Sequence, residues 1–211
     1  MDKLKTINYD FFHWGPFLYR TVITKEEVDQ VKKLCSKQNK DVRETLAGLL
    51  EHEHKIDHKK LFPVIFPYLD SYAKAYFDYR SEPLGNKLEL KTAWVNYMTK
   101  FESNPLHTHD DDLSFVLFLQ VPKELLEEYN KTRANTKPGC INFTTGLTIK
   151  KEFLTEHSFF PKVGELFIFP ATLPHYVNHF KSDGERISVS GNVKITQNIQ
   201  LGSQSNIKVH G

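Results

Sequence analysis

Two periodicities divide the chain. Up to about residue 79 the apolar positions fall mainly at helical spacing, whereas from Lys87 to Val193 they come in short runs typical of strands. Thr24 stands three residues before Glu27, and Val28, Val31 and Leu34 share one face, which predicts a short helix opened by a capping box. Phe62, Ile65, Phe66, Leu69, Tyr72, Ala73, Tyr76 and Phe77 predict a longer helix over 57–79, with Pro63 in its first turns and Pro67 as the place for a kink. The intervening DVRETLAGLLEHEHKID reads as one helical turn and a charged loop, and the aromatic–polar alternation of residues 1–23 as one or two edge strands. Beyond the turn cluster SEPLGN, the segments LELKTAWVNYM, LSFVLFLQV, GCINFT, LTIKKEF, ELFIFP, HYVNHF and RISVSGNV read as strands. A polar, partly helical insertion, PKELLEEYNKTRANTKPG, interrupts them.

This pattern predicts a mainly β protein with flanking helices, a barrel or sandwich. Residues 1–86 would supply N-terminal strands and supporting helices, 87–193 the β core, and 194–211 a polar tail, mobile or laid along an edge. Composition agrees: sixteen Phe and nine Tyr suit pleated, half-buried surfaces. A formal charge of +2, with Lys and Arg scattered, gives no case for nucleic acid as a partner. Cys35 and Cys140 make neither a disulfide framework nor a thiolate metal cluster, so a reducing, cytoplasmic setting is expected. No apolar signal core and no run of membrane-spanning length is present, so no membrane association is expected. Nothing in the composition selects an oligomeric state, or decides between a small-molecule and a peptide substrate.

The chemistry gathers in NPLHTHDDDLSFVLFL. His107 and His109 are two apart, as are His109 and Asp111, and residues two apart on an extended backbone point to one face. A third histidine, His175, opens a later apolar run after FPATLP. Two histidines and a carboxylate on one face suit non-haem iron(II). Two metal triads are open: His109, Asp111 and His175, or three histidines, His107, His109 and His175. The short loop before LSFVLFL leans toward the second, since Asp111 has only Asp112 between it and the strand. The competing reading of HTHDDD is a solvated turn that binds nothing. HEHKIDH, with His52, His54 and His58, is a rival metal cluster, but its charged neighbours read as surface. Eleven residues after His175 comes Arg186, whose planar fork suits a carboxylate. Ser188 and Ser190 share its strand face by parity. The alternative is a strand-end arginine paired with Asp183 or Glu185.

Taken together, WVNYM, NPLHTH, DLSFVLFLQVP, GCINF, VGELFIFPATLPHYV and ERISVSGN resemble the 2-oxoglutarate- and Fe(II)-dependent oxygenases. They are most similar to the prolyl-4-hydroxylase-like branch and to small marine phage members. The resemblance covers about half the chain. It implies a double-stranded β-helix (jelly-roll), with Fe(II) and 2-oxoglutarate as cofactors. It further implies a dioxygenase, one that hydroxylates a C–H bond and releases succinate and CO2, with no catalytic residue beyond the metal ligands. Carried over, His175 binds iron with His107 and His109, or with His109 and Asp111, while Arg186 and Ser188 hold 2-oxoglutarate. Tyr97, ten residues before His107, would hydrogen-bond it. The departure is His109, which stands where His107 would lead one to expect a carboxylate. The alternatives are a cupin-like three-histidine metal protein without 2-oxoglutarate and a non-catalytic β-barrel binding module.

Overall fold

The computed structural model describes residues 15–85, 87–145 and 156–196. Their element order is β1 (Tyr19–Val22), α1 (Lys25–Lys32), β2 (Glu53–Lys55), α2 (His58–Arg80), β3 (Lys87–Met98), β4 (Asn104–His107) and β5 (Leu113–Gln120). Then follow α3 (Lys123–Lys131), β6 (Ile141–Thr144), β7 (Glu156–Phe159), β8 (Glu165–Pro170), β9 (His175–Val177) and β10 (Arg186–Thr196). A six-stranded sheet runs β1-β8-β5-β10-β3-β2 and a four-stranded sheet β4-β9-β6-β7. Every pairing is antiparallel. The two facing sheets form a jelly-roll that does not close into a full barrel.

The alternation along each central strand sorts side chains into two cores. Leu90, Ala93, Val95, Leu113, Leu117, Leu166, Ile168 and Val189 face outward and are covered by Val28 and Val31 of α1 and Leu61, Ile65, Leu69 and Tyr72 of α2. Met98, Val116, Phe118, Phe167 and Phe169 face inward and meet Ile141, Phe143 and Val177 of the smaller sheet. Each such side chain contributes roughly 1.5–3 kcal/mol by leaving water. The capping box forms as expected: the Glu27 amide donates to Thr24 Oγ1 at 3.2 Å, and the Thr24 amide to the Glu27 carboxylate at 2.8 Å. Helix α2 continues through Pro63 and Pro67 to Arg80. Its buried apolar face offsets the two backbone hydrogen bonds that the prolines delete.

Several sequence expectations need correction. The segment before residue 87 supplies the edge strand β1, as residues 1–23 suggest, but also a strand on the opposite edge, β2, where a charged loop is expected. The last strand does not stop at Val193 but pairs with β3 as far as Thr196. Strands β2, β4 and β7 are too short or too polar to show alternation. The expected strand LTIKKEF lies outside the described residues, as do residues 1–14 and the tail from 197 onward.

Candidate metal centre

His107 closes β4 and His175 opens β9, and the antiparallel register sets them directly opposite one another. Their ring centroids are 4.3 Å apart. His109 lies two residues past the end of β4, and its amide donates to the Ala171 carbonyl at 2.9 Å, which ties this loop to the turn between β8 and β9. Its ring is 5.0 Å from that of His107 and 5.2 Å from that of His175. The three imidazoles offer ligand nitrogens that all lie within 4.8 Å of one another.

Tautomers follow from the hydrogen bonds. His107 Nδ1 lies 2.7 Å from the Pro105 carbonyl, and His175 Nδ1 lies 2.9 Å from the Leu173 carbonyl. A carbonyl only accepts, so each Nδ1 carries the proton and each Nε2 keeps a lone pair for a metal; the bond to the carbonyl also fixes the ring. Burial pushes the basicity of His107 down, and lowers His109 to about 4 and His175 to about 3, with the neighbouring histidines adding to the effect on both. The cluster is therefore neutral at physiological pH, as metal ligands must be. Trp94 flanks His109 at 5.8 Å, and Phe169 and Phe143 flank His175 at 4.8 and 6.0 Å.

Asp111 is not part of this group. Its neighbour Asp112 accepts from the Ile195 amide at 2.7 Å and pairs with Lys194, clasping the loop to β10. The rival cluster does not converge on an ion either. His52 and His54 stack at 5.7 Å, but His54 Nδ1 is engaged by the Asn39 carbonyl, and His58 begins α2.

The histidines open onto a cavity also lined by Trp94, Asn96, Arg186, Ser188, Ser190 and Glu53. Arg186 is only 2% exposed. One of its terminal nitrogens donates to the Gly139 carbonyl at 3.1 Å, its guanidinium lies 5.3 Å above the Phe118 ring, and its Nε has no partner. The pairing with Asp183 or Glu185 weighed from sequence does not occur. Asp183 binds Lys100 and Glu185 binds Lys37. Burial lowers the Arg186 pKa to about 10, so it stays cationic. A buried cation without a counter-ion costs several kcal/mol unless an anion joins it. Ser188 and Ser190 lie beside it, each 3.4 Å from Asn96 Nδ2.

Tyr97 corrects the sequence reading. On β3 the inward positions are Trp94, Asn96 and Met98, so Tyr97 faces the opposite side. It packs there in the outer core, under the Lys37 ammonium at 5.1 Å and against the His54 ring. It does not line the cavity. Two lining residues escaped sequence reading, Asn96 and Glu53. Parity with Trp94 could have flagged Asn96; nothing in the tripeptide EHK of β2 marks Glu53 as inward.

Residues 92–192 match the family model described as "Putative 2OG-Fe(II) oxygenase". Over that span, just under half of the chain, it is similar to the 2-oxoglutarate–Fe(II) oxygenases. The span contains the three histidines, Arg186, Ser188 and Asn96, but not Glu53. No curated protein matches the chain in sequence. Among solved structures, the fold is shared with a Pseudomonas putida prolyl-4-hydroxylase, at 17% identity over 85% of this chain and 92% of that one, with a TM-score of 0.53. It is shared with the viral collagen prolyl hydroxylase of Paramecium Bursaria Chlorella virus-1, at 13% identity over 87% and 98%, TM-score 0.55. Streptomyces hygroscopicus HygX, solved with nickel and 2-oxoglutarate bound, aligns at 14% identity over 86% and 83%, TM-score 0.50. Among the described residues, no helix is long and apolar enough to cross a membrane.

Proposed function

We propose that this protein is a 2-oxoglutarate- and Fe(II)-dependent oxygenase that hydroxylates a C–H bond of its substrate, with His107, His109 and His175 holding Fe(II) and Arg186 and Ser188 holding 2-oxoglutarate. The observation that carries this reading is Arg186, a buried guanidinium with an unpartnered Nε in the same cavity as three converging imidazoles. A dicarboxylate satisfies both ends. The histidines would hold the metal to which its keto-acid end binds, and Arg186, with the Ser188 hydroxyl, would hold its far carboxylate. The all-imidazole ligand set bears no charge, so the dianion is also the natural counter-ion for Fe(II). Iron(II) with 2-oxoglutarate and O2 supplies the oxidising power; the overall balance is R–H + O2 + 2-oxoglutarate → R–OH + succinate + CO2.

What the chain contributes is placement. The backbone carbonyls of Pro105 and Leu173 hold two imidazoles with Nε2 inward. Phe118, Phe169 and Val177 wall the cavity with apolar surface, which keeps water away from the reacting centre. Arg186 would anchor the far end of the co-substrate and so orient it in the cavity. No general base is needed, and the neutral histidines carry no proton to a substrate.

The test is succinate production. Purified protein with 2-oxoglutarate is expected to form succinate only when Fe(II) is added, and Arg186→Ala is expected to abolish it. Iron-independent turnover, or full turnover in the variant, would overturn the assignment. A metal protein that does not use 2-oxoglutarate would bind iron equally well with and without Arg186, yet give no succinate.

A further inference from the structure

Glu53 is used by nothing in the reaction above. It is 1% exposed, it lines the cavity, and its Oε2 has no hydrogen-bond partner. The β2–β3–β10 register places Glu53 opposite Asn96 and Asn96 opposite Ser188, so the three form one polar row across the inner face of the sheet. Asn96 is 3% exposed and spends its Nδ2 on Ser188 and Ser190, which leaves Oδ1 unpartnered as well. Two neighbouring acceptors are therefore buried without donors. Such groups each cost roughly 1–3 kcal/mol unless something supplies the missing hydrogen bonds.

Building on the oxygenase reading, we propose that Glu53 and Asn96 form the substrate-recognition subsite and take a cationic, donor-rich group of the substrate, a primary ammonium or a guanidinium. The charge around Glu53 has the matching sign. Burial first, and then the negative charges of Asp41 and Glu102, raise the pKa of its carboxyl to about 7. The one cation felt there, Arg43, is already bound to Asp41 at 2.7 Å. A substrate cation would relieve this repulsion, and the same field would draw it in. Two residues along β10 from Ser188, at the far end of the row, stands Arg186, which repels cations and favours an anion. One cavity thus carries two poles, positive for the co-substrate and negative for the substrate. Gly48 adjoins the negative pole: a Cβ there would stand 2.6 Å from Glu53 Oε1, so alanine at 48 would push the carboxyl aside.

The experiment is a set of calorimetric titrations, with and without Mn(II) and 2-oxoglutarate, using n-butylguanidinium and n-butylammonium against the uncharged n-butylurea and N-butylacetamide. Each cation is expected to bind about 10-fold or more tightly than its neutral counterpart, since losing a charged partner in a buried site typically costs at least that factor. Glu53→Gln is expected to erase the preference, and Gly48→Ala to weaken cation binding without changing charge. No preference in the native protein, or a preference that survives Glu53→Gln, overturns the proposal. Should Glu53→Gln not fold, Gly48→Ala decides alone, and undiminished cation binding in it counts against the subsite. Failure of Mn(II) and 2-oxoglutarate to bind would instead defeat the oxygenase assignment of the site, and the titrations without them still test the subsite.

Discussion

His107 and His175 are cross-strand partners on β4 and β9, with ring centroids 4.3 Å apart. This register brings the two imidazoles together, His109 joins them from the loop that Ala171 tethers, and Asp111 is not in the group. The ligand set proposed above rests on that convergence. Replacing His107, His109 or His175 with Ala should therefore weaken Mn(II) binding by about 100-fold or more, above the loss typical for groups that merely orient a ligand. Asp111→Ala should leave it unchanged. His109→Asp should retain binding, since it only exchanges one ligand type for another. Anaerobic titration calorimetry reads all five variants, and tight binding in His107→Ala would show that the other triad forms.

Arg186 separates stability from binding. Arg186→Met removes a buried, unpaired cation while keeping much of its volume, so without ligand the variant should melt at or above the native temperature. With Mn(II) and 2-oxoglutarate at about 100 times its dissociation constant, the native protein should gain about 2.7 kcal/mol. That corresponds to a rise of roughly 5–10 °C for a chain of this size. The variant should gain nothing from 2-oxoglutarate. An equal rise in both proteins would remove Arg186 from the co-substrate site.

The legible parts of the molecule are those that repeat a local rule. The capping box at Thr24, the apolar stripe of α2 and the runs LSFVLFL and ELFIFP follow directly from periodicity. The convergence of His107, His109 and His175 could be anticipated because two of them share a tripeptide and the third opens a strand after FPATLP. What could not be read was register. Whether Asp111 or His107 joins the site depends on which residue of β4 lies opposite β9, and no local pattern encodes that. Glu53 is the same case, a charged residue in a three-residue strand whose inward direction is set only by pairing with Asn96.

Tyr97 tests the parity argument directly. The sequence resemblance assigns its hydroxyl to 2-oxoglutarate, whereas the structure turns it to the outer face beneath Lys37. Tyr97→Phe should change 2-oxoglutarate affinity by less than about twofold and stability by about 1 kcal/mol at most. A tenfold loss of affinity would mean that the ring reaches the cavity.

Glu53 should leave a signature in the pH dependence of stability. Its pKa is raised by burial, and then by Asp41 and Glu102, from 4.5 to about 7. A carboxyl raised in this way favours the folded state fully below its unfolded pKa, and that contribution disappears as pH climbs through 7. Glu53→Gln cannot ionise and escapes the loss. Relative to native protein, the variant should gain about 1–3 kcal/mol between pH 5 and pH 8, measured by urea unfolding of metal-free samples. The histidines titrate alike in both proteins and drop out of the difference. Parallel stability curves would mean that Glu53 ionises as an ordinary surface carboxyl.

Gly191 sits at the middle of β10, between Ala93 of β3 and Phe115 of β5, where the outer face meets the helical layer. Replacing a strand glycine with alanine ordinarily stabilises by roughly 0.5–1 kcal/mol through reduced chain entropy. Here the sign should reverse. A Cβ at 191 would stand 2.7 Å from the Phe115 ring and 2.7 Å from the Thr92 carbonyl, and the backbone atom cannot yield. Gly191→Ala should cost about 1–3 kcal/mol through overpacking. Because Ser190 and Asn192 flank it on the cavity side, the displaced strand should also loosen the grip on 2-oxoglutarate. Gly15, where an added Cβ meets nothing within 4 Å, provides the matched control and should tolerate alanine without loss. Thermal melts of the two variants, each with and without Mn(II) and 2-oxoglutarate, separate the packing cost from the effect on the site. An unchanged melt in Gly191→Ala would mean that β10 has room to move away from β3.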